Sequence, residues 1–190
     1  MPTITVLDLE TGGFNPKTSA IVSAAAVVLD SQLREIDRWY AVINEPGKEI
    51  TDDALAINGL SRDQIASGIP IEMALEEIRR RSITTWVAHN AAFDFAFINA
   101  RGNFGGIGEP GQPVNLAIDT MFLAWHVWPR PAKAKLGIVA ERMGINVENA
   151  HNALGDVLMT VEILRKFASM GLAPDPLVPQ LIQWEWWKRR

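Results

Sequence analysis

Asp8 and Glu10 stand two residues apart at the end of an apolar, β-branched run, Ile4-Thr5-Val6-Leu7. Side chains alternate along a strand with a period of two, so both carboxylates project from one face. Like charges this close raise each other's pKa unless a cation is bound. The competing reading is a pair of solvated acids at a strand end. Asp94 falls in the first turn or so of a helix that starts near Asn90. An acid there complements the helix dipole, but the position also lies at the sheet edge where open α/β folds collect their sites. Asp156 sits among Leu154, Val157 and Leu158, with His151 five residues earlier. Five residues rotate about 140° on a continuous helix. That spacing places His151 in a loop or first turn and fixes Asp156 on the helix. A solvent-facing His and a lone helical Asp are the plainer alternative.

Taken together, these residues offer four carboxylates and one imidazole. The chain has no cysteine, which excludes a thiolate nucleophile, a disulfide framework and Cys-based zinc or iron–sulfur ligation. Oxygen-rich donor sets suit Mg²⁺ or Mn²⁺. Two such ions about 3.5–4 Å apart can activate a water and stabilise the leaving oxygen of a phosphodiester. His151 is then the candidate general base, since an unperturbed imidazole titrates near neutrality.

These side chains need a scaffold, and its elements can be read from pattern. Residues 3–7 read as a strand that ends at Asp8-Leu9-Glu10, after which Thr11-Gly12-Gly13 breaks it. Residues 20–29 are apolar at nearly every position, which points to a strand buried on both faces. Residues 33–43 read as a third strand, antiparallel to the second, with Arg34, Asp37 and Arg38 on a polar face. Thr51-Asp52-Asp53 opens a short helix, and Ser61 with Gln64 forms a capping box for another. Apolar residues at Ile71, Ala74, Leu75 and Ile78 have helical spacing across 71–81. Residues 84–88 and 113–118 read as strands four and five. Helices are expected from an Asn90 cap through Asn99, and over 120–127, 136–143 and 153–168. Residues 102–111 are Gly-rich and read as a loop. A meander followed by βα units gives an α/β fold with a mixed sheet and helices on its faces.

The chain has 190 residues, 48% of them hydrophobic and 21% charged, which is the composition of one globular domain. The net charge of −4 argues against a protein that coats nucleic acid by charge alone. No apolar run approaches the roughly 20 residues of a membrane helix, and no signal peptide is visible. The chain therefore reads as soluble and cytoplasmic. Residues 1–173 read as the folded domain. Residues 174–190 form a tail with Pro174, Pro176 and Pro179, then Trp184, Trp186 and Trp187, and a basic end. Exposed tryptophans are costly, so this tail is expected to pack on its own domain or on a partner.

Three segments carry a resemblance: Asp8-Leu9-Glu10-Thr11-Gly12-Gly13, His89-Asn90-Ala91-Ala92-Phe93-Asp94 and His151-Asn152-Ala153-Leu154-Gly155-Asp156. In order and spacing they resemble the motifs of the DnaQ-like 3′–5′ exonucleases of the DEDDh branch. That family includes the proofreading epsilon subunit of DNA polymerase III, RNase T and oligoribonuclease. The resemblance implies an RNase H-like fold with a five-stranded mixed sheet flanked by helices. It implies Asp8, Glu10, Asp94 and Asp156 as ligands of two divalent ions and His151 as the base that deprotonates the attacking water. The implied reaction releases nucleoside 5′-monophosphates from the 3′ end of single-stranded nucleic acid. DNA is the favoured strand and RNA the alternative; no motif here declares the contacts to a 2′-OH that discriminate between them. A DNA polymerase or a second copy of the chain is a protein partner the tail could bind, with docking of the tail on its own domain the favoured reading. A non-catalytic nucleic-acid-binding subunit is the reading from another class.

The same resemblance places Thr11 and Gly12 against the terminal nucleotide, and Ile57-Asn58 in a segment that wedges against its base. Many members carry histidine where this chain has Asn58. Phe14 and Phe93 are candidates to stack on bases, with core packing the stronger reading for Phe93. Asp119 is expected to cap a helix rather than bind metal. His89 is expected to orient the second motif, and His126 to have no catalytic role. Arg130, Lys133 and Lys135 form a basic loop that could meet the nucleic-acid backbone. Arg79, Arg80 and Arg81 suit the end of a helix.

Overall fold

The computed structural model describes residues 3–81, 85–102, 116–129, 132–146 and 152–172. The first strand, β1 (Ile4–Thr11), carries both early carboxylates and lies inside the sheet. It pairs antiparallel with β2 (Ile21–Leu29), which pairs antiparallel with β3 (Glu35–Asn44). On its other side β1 pairs in parallel with β5 (Thr85–Ala88), which pairs in parallel with β6 (Leu116–Asp119). A two-residue strand, β4 (Ile69–Pro70), adds in parallel to the end of β3. Among the described residues the sheet therefore has six strands in the order β4-β3-β2-β1-β5-β6, one more than expected. Two residues, one of them a proline with no N–H to give, carry no strand pattern.

All nine residues of β2 are buried because both faces of the sheet are covered. On one face, α7 (Ala153–Ser169) lays Ala153, Val157, Val161 and Leu164 against Ile4, Val6, Ala25 and Val27. On the other, α3 (Ile71–Arg81) and α4 (Ala91–Asn99) set Ala74, Ile78, Phe95 and Ile98 against Leu7, Leu9, Ala24 and Ala26. Alanine at 24–26 leaves room for helices on both sides. A third cluster joins α5 (Thr120–Val127) and α6 (Leu136–Arg142) to α7 through Ala124, Val139, Ile163 and Phe167. Two short helices, α1 (Asp52–Asn58) and α2 (Arg62–Ala66), close the β2–β3 end by setting Leu55 and Ile65 against Ala20 and Val22. Thr51 caps α1, and the Ser61–Gln64 capping box of α2 forms in full.

Arg81 differs from its two neighbours at the end of α3. It is buried, pairs with Glu77, and lies 5.6 Å from the Trp39 ring. Thr84, residues 113–115, Arg130 and most of the Gly-rich stretch fall outside the described residues, as do His151 and the tail at 174–190. No helix among the described residues is long and apolar enough to cross a membrane.

Candidate active site

Asp8 and Glu10 lie opposite Ala25 and Ser23 of β2, on the sheet face that α7 covers. Asn152 caps α7 by accepting the Gly155 N–H at 2.8 Å, so the helix starts at Ala153 and Asp156 falls in its first turn. One carboxylate oxygen from each of Asp8, Glu10 and Asp156 lies within 4.8 Å of the others. Residues far apart in the chain thus converge where the central strand runs past the end of β5.

Asp94 reaches the same place from the opposite face. β5 ends at Ala88, so the later N–H groups of β1 have no strand beside them there. Asp94 Oδ1 accepts one of them, the Leu9 N–H, at 3.0 Å. Asp94 is buried, and its charge raises the pKa of Asp8.

The electrostatics are those of a self-repelling cluster. Burial is the largest cause of the upward shift of Asp8, followed by the charges of Asp94, Asp156 and Glu10. Burial and then Asp156 push Glu10 up to about 7. Asp94 is raised as well, first by burial, while the amide bond from Leu9 opposes the shift. Converging oxygen donors that repel one another are a fit for a hard divalent cation, which would relieve the repulsion and keep them ionised.

A second layer of residues sets the position of α4. Asn90 occupies the N-cap position but does not cap the helix: its φ is +67° and its side chain makes no capping bond. Asp119 does so from the end of β6. Its Oδ1 accepts the Asn90 N–H at 2.9 Å and the Met121 N–H at 2.9 Å, serving the start of α4 and α5 together. The His89 ring bridges Thr120 Oγ1 at 2.8 Å and the Ala134 carbonyl at 2.7 Å. Burial pulls its pKa down to about 4, which keeps the ring neutral at ordinary pH. His126 is exposed on α5.

Beside the carboxylates opens a pocket of about 480 Å³. Leu9, Glu10 and Thr11 line it from β1, Phe14 from the following loop, Thr51 and Ile57 from α1 and its cap, and Phe93 from α4. Phe14 is 87% exposed and Ile57 is 57% exposed. Phe93 is half-buried, packs on the core, and stands 4.9 Å from the Phe97 ring. It lines the pocket while also packing on the core.

Gly12 and Asn58 depart from expectation. Gly12 N–H donates to the Ala20 carbonyl at 2.8 Å, and its own carbonyl accepts the Thr51 N–H at 2.9 Å. A Cβ at Gly12 would collide with the Glu49 carbonyl and lie 2.9 Å from Ile50 Cα. The glycine is needed for a crossing of two backbone segments, and its amide groups are spent inside the protein. Asn58 is buried at the end of α1, where its Oδ1 accepts the Leu60 N–H at 3.0 Å; Ile57 lines the pocket in its place. Local spacing did not reveal Thr51 as a pocket residue, nor Asp119 as a cap shared by two helices.

The exonuclease family RNase_T matches residues 5–164. The DNA polymerase III PolC-type of Clostridium perfringens is 32% identical over 161 residues, which are 84% of this chain and 11% of that protein. The PolC-type polymerase of Streptococcus pneumoniae is 30% identical over 165 residues, 85% of this chain and again 11% of the relative. The chain thus spans about a tenth of the length of these relatives. Among solved structures, E. coli exonuclease I in complex with a dT13 oligonucleotide superposes with a TM-score of 0.75. The match covers 89% of this chain and 41% of the other at 17% identity. The zinc-bound exonuclease I–ssDNA complex gives 0.74 at 18% identity, with the same coverage. At such identity the likeness is one of fold, here the RNase H-like fold. By its family match along most of its length, the chain belongs to the DnaQ-like 3′–5′ exonuclease family.

Proposed function

We propose that this domain hydrolyses single-stranded DNA from its 3′ end and releases nucleoside 5′-monophosphates. The observation that carries the reading is the convergence of Asp8, Glu10 and Asp156 at the rim of a pocket with exposed apolar walls. A carboxylate cluster alone would bind a cation. A pocket of about 480 Å³ that shares Glu10 with that cluster supports a terminal nucleotide bound with its phosphodiester beside the carboxylates.

Asp8, Glu10, Asp94 and Asp156 would hold two divalent ions, Mg²⁺ or Mn²⁺. Such ions, when bound, supply Lewis acidity to the attacking water and to the leaving 3′-oxygen. The chain's own part is to position and to move a proton. Leu9 N–H and the Asp119-capped start of α4 hold the Asp94 carboxylate in place. His151, the residue before Asn152 in the sequence, would accept the proton of the attacking water. Phe14 and Ile57 flank the terminal base, and Phe93 supports it from α4. Thr11 lines the floor. The relatives' name and the oligonucleotides bound to exonuclease I favour DNA over RNA. A polymerase, reached through the tail at 174–190, fits the PolC-type relatives as a partner.

The test is cleavage of matched 5′-labelled and 3′-labelled single-stranded DNA and RNA with Mg²⁺, Mn²⁺ or EDTA. The expected result is a shortening 5′-labelled ladder and metal-dependent release of 3′-terminal mononucleotides, faster on DNA. Faster cleavage of RNA would reverse the sugar preference. Inactivity of folded, metal-bound protein on every substrate would overturn the catalytic reading in favour of a binding subunit.

A further inference from the structure

Just past the C-terminal end of α4, Arg101 enters the interior and spends all its hydrogen-bond donors there. Nε donates to Glu45 Oε1 at 3.0 Å, and one Nη2 bond reaches Glu45 Oε2 at 2.7 Å. The other Nη2 bond reaches the Ser19 carbonyl at 2.6 Å. Nη1 donates to the Pro16 carbonyl at 2.7 Å and the Phe97 carbonyl at 3.0 Å. Five N–H groups thus meet five acceptor contacts, the full capacity of a guanidinium. Both side chains of the pair are 6% exposed. Glu45 Oε2 also accepts the Ile21 N–H at 2.8 Å, which ties the pair to β2.

Stability alone is a poor reason for such an arrangement. A buried ion pair often does no better than an apolar pair of the same volume, because desolvating both charges offsets their attraction. What a rigid fork supplies is geometry. Pro16 and Ser19 belong to the 13–19 loop, and Gly13, Phe14, Asn15 and Ser19 of that loop line the pocket. Arg101 therefore holds one pocket wall to the helix that carries Asp94. It also reaches the pocket by a second route: its guanidinium lies 5.2 Å from the Phe97 ring, which packs on Phe93.

We propose that Arg101, with Glu45, is a positioning residue that sets the substrate pocket's width by clamping the 13–19 loop onto α4. Neither residue belongs to the carboxylate cluster or to the pocket lining. The inference rests on the exonuclease reading for its kinetic consequence, but its structural consequence can be read without substrate.

The experiment compares wild type, Arg101→Lys and the paired change Arg101→Met/Glu45→Leu. The lysine has three donors and no fork. The paired change removes both charges together, so no orphan ion remains to unfold the domain. Ile78→Ala, a core truncation on α3, serves as a control for lost stability. Two quantities are read well below each melting temperature: steady-state kinetics on a single-stranded oligonucleotide, and the rate of tryptic cleavage after the exposed Lys17 of the loop. The expected result is a KM raised at least tenfold with kcat within threefold. Cleavage after Lys17 should be at least tenfold faster, and Ile78→Ala should change neither. An unchanged KM in either folded variant, or a fall confined to kcat, would overturn the proposal. Should the wild type prove inactive on every substrate, the exonuclease reading fails and the tryptic arm decides: faster cleavage after Lys17 supports the clamp, and an unchanged rate sinks it.

Discussion

The Leu9 N–H donates to Asp94 Oδ1 at 3.0 Å, and this bond joins the first motif to the second across the end of the sheet. It satisfies a buried amide that β5 is too short to reach, and it aims a buried carboxylate at the cluster. Asp94→Asn keeps an acceptor for Leu9 and removes one repelling charge. Its melting temperature should stay level or rise, while cleavage falls by at least about a hundredfold, the scale of losing one preorganised charge contact. Asp94→Ala leaves the Leu9 N–H buried without an acceptor, which costs about 1–3 kcal/mol. It should lose both activity and several degrees of melting temperature. Thermal melts and single-turnover cleavage of the two variants check the distinction.

Without metal, stability should fall as pH rises. Glu10 titrates near 4.5 when unfolded and near 7 when folded. Between those values the folded state holds more protons, so each rise in pH favours the unfolded chain. Asp8 and Asp94, shifted in the same direction, add to the fall. His89 opposes it. Its pKa drops to about 4 on folding, so its contribution improves as pH climbs from about 4 to the ordinary histidine value. Melts in EDTA from about pH 5 to pH 8 should show a net decline. Glu10→Gln should flatten it, and Mn²⁺ should raise the melting temperature more at pH 8 than at pH 5. A metal effect equal at both ends would contradict the assignment of these carboxylates as ligands.

What could be read in advance was what local periodicity encodes. The near-continuous apolar run at 20–29 declares a strand with two buried faces, and all nine residues of β2 are buried; Asp8 and Glu10 share a face because a strand repeats every two residues. Ser61 and Gln64 are three apart, so their capping box is visible as a pattern. The rest depends on partners far away in the chain. Asn90 has capping chemistry, yet its left-handed backbone turns that chemistry away, and Asp119, 29 residues later, does the work. Arg101 and Glu45 are 56 residues apart. Nothing in the neighbourhood of either announces the other.

Gly12→Ala tests why the first motif ends in glycine. The added methyl would meet the Glu49 carbonyl and Ile50 Cα, both backbone, so a segment rather than a side chain must move. Overpacking of this kind costs about 1–3 kcal/mol. The displaced segment leads into Thr51 and α1, the far wall of the pocket. The variant should therefore melt several degrees lower and bind oligonucleotide more weakly, with metal affinity kept. A wild-type melting temperature would show that the crossing has slack.

His151→Ala should slow cleavage by about 10²- to 10⁴-fold, the range for loss of a general base. Metal binding should be unaffected, because the carboxylate cluster is complete without it. Single-turnover rates across pH check the role. The variant should lose the rising limb of the profile that an imidazole gives, and a retained limb would assign the proton to another group.

Phe14 and Phe93 line one pocket but should fail in different ways. Phe14 is 87% exposed, so its ring is held by almost nothing in the free protein. On the proposed reading, an aromatic left in water beside a carboxylate cluster would gain its packing when a base arrives. Stacking in single-strand binders is worth about 1–3 kcal/mol per base, a factor of about 5–150 in affinity. Phe14→Ala should raise KM by a factor in that range and leave the melting temperature within a degree or so. Phe93 packs on the core and on Phe97 whether substrate is present or not. Phe93→Ala should therefore lose stability along with affinity, and Phe93→Leu, which refills most of the volume, should recover the stability before the affinity. If Phe14→Ala instead lowers the melting temperature with KM unchanged, the loop's exposed ring is a structural strut and the base is gripped elsewhere in the pocket.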